Sequence, residues 1–467
     1  MKICVLQPSY ENSDLDYKEY DPPRDLSHLI PEAIFQNVFL KKSTVYKQLK
    51  DLKKENFDIF VNLCQGYLDW DIPSIDVIFS LENLNLPYTG SPLHLYDPSK
   101  DLMKYISYSS GVSTPNFTLA NNISELNLAV EQLTFPFFIK PSHAGDSLGI
   151  DNNSKIYTKD ELKNQAIKLF KEFDALLIEE YIEGREFSVL VIANPEDVFS
   201  PIVLHPVEFV FPEGEFFKTY KLKTTEFHPN SNILCQDNSL AKQLQESAKQ
   251  IFTEFEGLGY ARMDFRVDKN NKIFFLEINF ACSVFYNMGY YGTADYILMK
   301  DGYGHVNFLK QIIHEGLIRF QRKQKKYYIK KNGLAGYGIF ANANISQGEI
   351  IFSGEMKAQR IVSKNFVDKN WKNPKQIRNF KQYAYPLGKN YFILWDENPI
   401  NWSPQNHSCN PNTSFDGLNV IALKNLGKNT ELTLDYSTFC SEEMEPFECQ
   451  CGEKNCRKII TGSIQSI

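Results

Sequence analysis

From residue 1 to about residue 318, short apolar runs alternate with amphipathic stretches rich in Lys and Glu, the rhythm of mixed α and β structure. The apolar runs predict strands at 2–6 (KICVL), 58–63 (DIFVNL), 135–140 (FPFFIK), 176–180 (LLIEE) and 273–279 (IFFLEIN). Apolar residues at three- and four-residue spacing, with few breakers, predict helices over 43–55, 160–173 and 239–255. A basic run follows at 319–331 (RFQRKQKKYYIKK), with seven cations and no acid. It reads as a helix end passing into a strand, with a solvated linker as its plainest role. Beyond it the texture changes to short strands broken by Gly and Asn turns (KNGLAGYG, ISQGE, SFDGLN), which predicts a β-rich second unit.

Length and composition narrow the class. A chain of 467 residues has room for roughly three domains of about 150 residues. Its 43% hydrophobic and 23% charged residues match a globular protein and exclude collagen-like or wholly disordered chains. No apolar run of about 18 residues is present, and acidic residues stand early where a secretory signal needs an apolar stretch. The expectation is a cytoplasmic protein with no membrane partner. With 50 basic against 57 acidic residues, the chain as a whole lacks a basic footprint, so nucleic acid is not expected as a partner.

Nine cysteines are few for this length, but five fall between Cys409 and Cys456. Cys449, Cys451 and Cys456 form C-x-C-x4-C, and Cys409 lies forty residues upstream. In a cytosolic protein, a tight thiolate triplet with one distant partner suits one structural Zn²⁺ better than disulfides. Cys440 lacks such neighbours and is expected to be a core or surface thiol.

Three motifs in residues 327–462 carry a resemblance to SET-domain methyltransferases with a post-SET zinc segment. They are LAGYGIFANANISQGEII with Gly336, Tyr337 and Gly338, NHSCNPN from Asn406 to Asn412, and GKNTELTLDYS with Tyr436. The resemblance implies a mostly β fold and methyl transfer from S-adenosylmethionine to an amine, usually a lysine in a narrow channel. It implies that Gly336, Tyr337, Gly338, Asn406 and His407 hold the cofactor, and that Tyr436 orients the amine. Cys409, Cys449, Cys451 and Cys456 would be the zinc ligands. Two departures stand out. Ser403-Pro404-Gln405 replaces the family's Arg-Phe step, and Phe352 stands where a tyrosine is usual.

The first part holds FPFFIKPSHAGDSLGI, LLIEEYIEGREFSVLVI and YARMDFRVDKNNKIFFLEIN. A lysine at a strand end beside a small-residue loop suits a phosphate. Strand alternation places Glu277 and Asn279 on one sheet face, and with Asp264 they form a hard oxygen set fit for Mg²⁺. Together these segments resemble the multi-lobed α/β ATP-grasp fold, and D-alanine:D-alanine ligase in particular. The resemblance implies that Lys104 and Lys140 contact ATP phosphates, with Lys221 or Lys223 as a further phosphate lysine. Glu179, Tyr181 and Ile182 would line the adenine pocket, and Glu186 would bind ribose. Asp264, Glu277 and Asn279 would hold Mg²⁺, and Arg262 would face the acyl phosphate. The substrate side departs from the family, with Gln65-Gly66 in place of its His-Gly and Asn279-Phe280-Ala281-Cys282-Ser283 in place of its carboxylate loop.

The resulting expectation is a bifunctional enzyme with an ATP-grasp unit at 1–318, a basic linker at 319–326, a SET domain at 327–440 and a zinc segment at 441–467. Its partners would be an amino-acid-like ligase substrate and a lysine-containing protein, peptide or small amine. The alternative is a methyltransferase whose first part only binds nucleotide or a partner.

Overall fold

The computed structural model of the chain describes residues 1–68, 70–143, 147–218, 231–332, 336–352, 360–388, 390–394, 405–417, 419–440 and 446–462. The chain divides into two compact units, Met1–Gln321 and Arg322–Ile467.

In the first unit the opening strand Lys2–Pro8 lies between Ile34–Leu40 and Ile59–Asn62, paired parallel to both. A parallel strand buried on both faces needs a continuous apolar run, which ICVL supplies, and these four side chains are fully buried. A second sheet has the order Phe117–Ala120, Leu176–Glu180, Phe137–Pro141, Lys155–Ile156. Helices Leu126–Gln132 and Lys159–Leu169 contribute Leu126, Ala129, Leu162, Ala166 and Leu169 to the core shared with this sheet. Thr158 begins the longer helix with a capping box, its side chain accepting from the Glu161 amide while Glu161 reaches back.

The third sheet is built on the eight-residue strands Arg185–Ile192 and Tyr260–Val267, paired antiparallel along their whole length. Period-two alternation sends Phe187, Val189, Val191, Met263 and Phe265 into a core with Leu244, Ala248, Ile251 and Phe252 of helix Asn238–Glu254. The alternate residues Glu186, Ser188, Arg262, Asp264 and Arg266 carry the polar chemistry. Strand Ile273–Asn279 completes this edge with a register shift after the Asp264↔Glu277 pair, where Leu276 is the extra residue. A bulge turns two successive side chains to one side, and Leu276 and Glu277 accordingly line the same cleft.

The second unit is strand-rich. Tyr327–Asn332 pairs with Gly336–Ala341, Ile350–Phe352 joins Asn419–Ala422 and Thr413–Asp416, and Asn406–His407 runs parallel to Thr433–Leu434. Tyr327, Ile339, Ala341, Ile351, Ala422 and Leu432 form its core. The basic run straddles the two units. Helix Gly304–Lys323 takes its first residues, and Arg319 is buried, paired with Glu315 at 3.1 Å and donating to the Tyr88 carbonyl at 2.9 Å. That residue is core, not solvated linker. Among the described residues, no helix is long and apolar enough to cross a membrane.

Candidate functional site

A cleft of about 640 Å³ takes its walls from both the four-stranded and the six-stranded sheets of the first unit. Lys140 and Glu179 face each other there on adjacent strands, with Lys140 Nζ 2.6 Å from Glu179 Oε1. Lys104, on helix Lys100–Ser109, places Nζ 2.8 Å from the other carboxylate oxygen. Lys104 is fully buried and is not a cleft wall, so its ammonium acts through Glu179 rather than at the opening. Burial works against ionisation of Glu179, but the two ammonium groups override it and hold its pKa at about 2. Burial pushes Lys104 down to about 8, partly offset by Glu179 and reinforced by Lys140. Both values move down: on Glu179 the two ammonium groups outweigh burial and favour the charged form, whereas on Lys104 burial outweighs the attraction of Glu179 and disfavours it.

Removing one partner of a buried ion network leaves uncompensated charge, at a cost of about 3–5 kcal/mol. Glu179→Gln is therefore expected to lower the urea midpoint strongly at pH 7. Glu179's folded pKa lies below its ordinary 4.5, so its stabilisation is complete above pH 4.5 and drains away as pH falls toward 2. Wild type and variant should converge in stability across that window. A constant gap between them down to pH 2 contradicts the assignment.

In the same cleft, beside Lys140 and Glu179, Phe138, Tyr181 and Phe217 form an aromatic group, with Phe138 and Phe217 edge to face at 5.1 Å. Ile182 lines the same wall. Glu186 lies beside them with both oxygens occupied, one 3.0 Å from Lys218 Nζ and the other 3.0 Å from Arg266 Nη2. Arg266 also donates to the Gly184 and Phe216 carbonyls at 3.1 and 2.6 Å, tying the 216–218 segment to the cleft floor. Neither Lys218 nor Arg266 was singled out in sequence, although alternation with Asp264 places Arg266 on the polar face. Lys221 and Lys223 lie outside the described residues.

Asp264 and Glu277, which also line the cleft, are direct cross-strand partners, and Arg262 pairs with Asn279 two residues along, with the Met263–Ile278 pair between them. Arg262 grips Asp264 through Nε at 3.2 Å and Nη2 at 3.1 Å, and Ser188 Oγ donates to the same carboxylate at 2.6 Å. Asn279 Oδ1 accepts from the Ala281 amide at 2.8 Å. Glu277 also lines a second cavity of about 550 Å³, together with Asn279, Gln65, Tyr67 and Lys100. Lys100 is nearly fully buried, and burial lowers its pKa against the pull of Glu277. Sequence reasoning passed over it, although it stands one helical turn before Lys104.

The departures on the substrate side form a connected polar chain. Ser283 Oγ donates to Gln65 Oε1 at 2.9 Å, and Gln65 Nε2 donates to the Tyr286 hydroxyl at 3.4 Å. Tyr286 and Tyr10 donate to the two oxygens of Asp21, each at 2.8 Å, and Arg24 pairs with Asp21 at 2.9 Å.

In the second unit, Asn406 Nδ2 donates to Glu431 Oε1 at 2.8 Å. A Cβ added to Gly338 would meet the ends of both side chains, so a larger residue here would have to displace Asn406 and Glu431. Gly336 and Tyr337 share its strand. If Gly338 and Asn406 hold S-adenosylmethionine as the SET resemblance implies, Gly338→Ala should weaken its binding about tenfold or more by displacing Asn406, as read by calorimetric titration. Unchanged affinity contradicts this placement of the cofactor. His407 Nδ1 accepts the Tyr436 amide at 3.2 Å, which puts the ring proton on Nε2, 3.4 Å from Cys409 Sγ. The Tyr436 hydroxyl donates to the Gln405 carbonyl at 2.6 Å. His407 thus links the catalytic-position tyrosine to the sulfur cluster, a role its motif did not disclose.

Cys409, Cys449, Cys451 and Cys456 bring their sulfurs within 4.8 Å of one another, and the Cys409–Cys449 edge is 3.8 Å. A Zn²⁺ tetrahedron with bonds of about 2.3 Å has edges of about 3.8 Å, so the cluster fits zinc. Cys440 stays outside it, its pKa pushed up to about 12 by burial. Arg457, also missed in sequence, donates its amide to Cys409 Sγ at 3.4 Å and its guanidinium to Asp435 and Ser437 at 2.5 and 2.6 Å. Burial opposes ionisation of Asp435, but Arg457 and Ser437 hold its pKa below the usual carboxylate range.

A cleft walled by two sheets, with a buried lysine–glutamate–lysine network and a hairpin of acidic and amide side chains, defines an ATP-grasp-type unit. The second unit joins a Gly338–Asn406–Glu431 cradle to a four-sulfur cluster. Residues 110–292 match the family model described as D-ala D-ala ligase C-terminus, and residues 336–437 match the SET domain. Two curated relatives carry the name D-alanine--D-alanine ligase. The protein of Aquifex aeolicus (strain VF5) is 35% identical over 202 residues, covering 43% of this chain and 64% of its own length. That of Prochlorococcus marinus (strain MIT 9312) is 31% identical over 258 residues, covering 51% of this chain and 69% of its own length. The solved D-alanine-D-alanine ligase of Coxiella burnetii shares the fold, with a TM-score of 0.52 at 20% identity over 70% of this chain and 97% of that one. The chain belongs to the D-alanine:D-alanine ligase family and carries a SET domain after its ligase-like region.

Proposed function

We propose that the chain is a bifunctional enzyme that couples a carboxylate to an amine at the expense of ATP and methylates an amine from S-adenosylmethionine. The observation that carries the reading is the position of Glu277, which lines both the cleft of Lys140 and Glu179 and the adjoining cavity. A group there meets the terminal phosphate from one side and the substrate acid from the other. Asp264, Glu277 and Asn279 would hold Mg²⁺, which supplies charge neutralisation to the transferring phosphoryl group. Lys140 adds positive charge along the cleft wall, and Glu179, held ionised by Lys104, keeps Lys140 in place. Arg262, bidentate on Asp264, keeps that carboxylate oriented. The aromatic group of Phe138, Tyr181 and Phe217 gives a planar base its stacking surface.

D-Alanyl-D-alanine synthesis is not proposed, because Gln65-Gly66 and Asn279-Phe280-Ala281-Cys282-Ser283 stand in place of the family's His-Gly step and carboxylate loop. For the second activity, the Tyr436 hydroxyl and the Gln405 carbonyl orient the amine, and Asn406 with Gly338 shapes the cofactor cradle. Such positioning, with exclusion of water, brings the lone pair in line with the methyl group. Zinc would be held by the four cysteines and would fix the tail carrying Arg457. Purified protein incubated with ATP, Mg²⁺ and pools of amino acids or dipeptides should release ADP and phosphate only with particular pools. Substrate-independent hydrolysis, or none with any pool, overturns the ligase half.

A further inference from the structure

The near-neutral balance of the whole chain conceals two units of opposite sign. Residues 1–321 carry 30 basic and 44 acidic side chains, whereas residues 322–467 carry 20 basic and 13 acidic ones. The ligase-like unit is thus strongly acidic and the SET unit clearly basic. Apart from the basic run at 322–331, the SET unit carries a second group of cations at the elbow joining helices Lys364–Asn370 and Pro374–Tyr383. Lys369, Lys372, Lys375 and Arg378 follow one another at three-residue intervals and are all exposed. On the second helix this interval puts Lys375 and Arg378 on one face. The elbow's acid, Asp368, is engaged by Lys364 at 2.8 Å. Phe366 stands 52% exposed beside these cations, and Val367 and Phe380 anchor the helices from beneath.

We propose that this elbow docks an acidic segment of the polypeptide that the SET unit methylates, an inference that rests on the methyltransferase reading. Four cations concentrated within ten residues match a short run of Asp and Glu, and the exposed Phe366 ring gives that run an apolar foothold. A nucleic acid draws its affinity from cations tracking many phosphates. Charge at the rim of a docking surface acts first on encounter and selectivity, so the acidic flank would select which amine reaches the channel.

The test uses the full chain and a fluorescein-labelled peptide with one lysine flanked by glutamates, alongside an otherwise identical peptide flanked by lysines. Fluorescence anisotropy without S-adenosylmethionine should show binding of the acidic peptide alone, weakening steeply from low to high salt. The triple variant Lys369→Glu, Lys372→Glu, Lys375→Glu should bind it about tenfold or more weakly, and the milder Lys→Gln triple should fall between. Circular dichroism melts establish that both variants are folded. Equal affinity of wild type and the folded Gln triple overturns the proposal. So does tighter binding of a single-stranded oligonucleotide of equal charge, which assigns the elbow to nucleic acid. Methylation of no peptide at all, with salt-dependent binding intact, overturns the methyltransferase reading and leaves the docking surface standing.

Discussion

Replacing Asp264 and Glu277 together by alanine should reduce substrate-dependent ADP release on the order of a hundred- to a thousandfold while leaving methyl transfer unchanged. The two carboxylates meet across paired strands, and the remaining anchors of the cleft, Lys140 and Glu179, stand on a different sheet. The loss should therefore fall on turnover more than on nucleotide affinity. Asp264 balances Arg262, so the variant leaves a buried guanidinium without its partner. Asp264→Asn with Glu277→Gln keeps the shape while removing the charge. Both variants should lose ligase turnover, and a milder loss of stability should accompany the second. Retained ADP release in a folded double variant contradicts the hairpin's role.

Cys449→Ser should take the zinc content of the purified chain from one per molecule to near zero, because metal binding and the order of such a segment are one equilibrium. The consequence extends beyond the tail. His407 Nε2 faces Cys409 Sγ, and Arg457 binds both that sulfur and Asp435, the residue before Tyr436. Loss of the ion should therefore also lower methyl transfer and expose the tail to protease. Cys440→Ser, at a sulfur outside the cluster, should leave zinc content unchanged. Full zinc content with undiminished protease resistance in Cys449→Ser contradicts the ligand assignment.

The sequence disclosed those parts of the fold whose periodicity is unambiguous. The run ICVL could only be a strand buried on both sides, and the spacing in 239–255 predicts the helix found at Asn238–Glu254. The face of strand Arg185–Ile192 was not legible, because FSVLVI is apolar at almost every position and only pairing with Tyr260–Val267 decides which residues meet the cleft. Motif spacing brought Cys409, Cys449, Cys451 and Cys456 together correctly, since one metal ion has a short list of acceptable ligand arrangements. It did not reveal Lys218 and Arg266 on Glu186, or the burial of Lys104 behind Glu179. Those contacts join residues distant in the chain through geometry that no local pattern encodes. The charge of the elbow at 369–378 went unread for a different reason, since a whole-chain total averages an acidic unit with a basic one.

The central claim is that one chain carries two working active sites. The most direct measurement is mass spectrometry of small molecules and proteins after incubation of the full chain with ATP, Mg²⁺, deuteromethyl-labelled S-adenosylmethionine and a cell extract. The account predicts products bearing a new amide, lost in the Asp264 and Glu277 double variant, and products bearing the labelled methyl group, lost in Tyr436→Phe. An extract in which either amide formation or the methyl label is independent of these residues contradicts it.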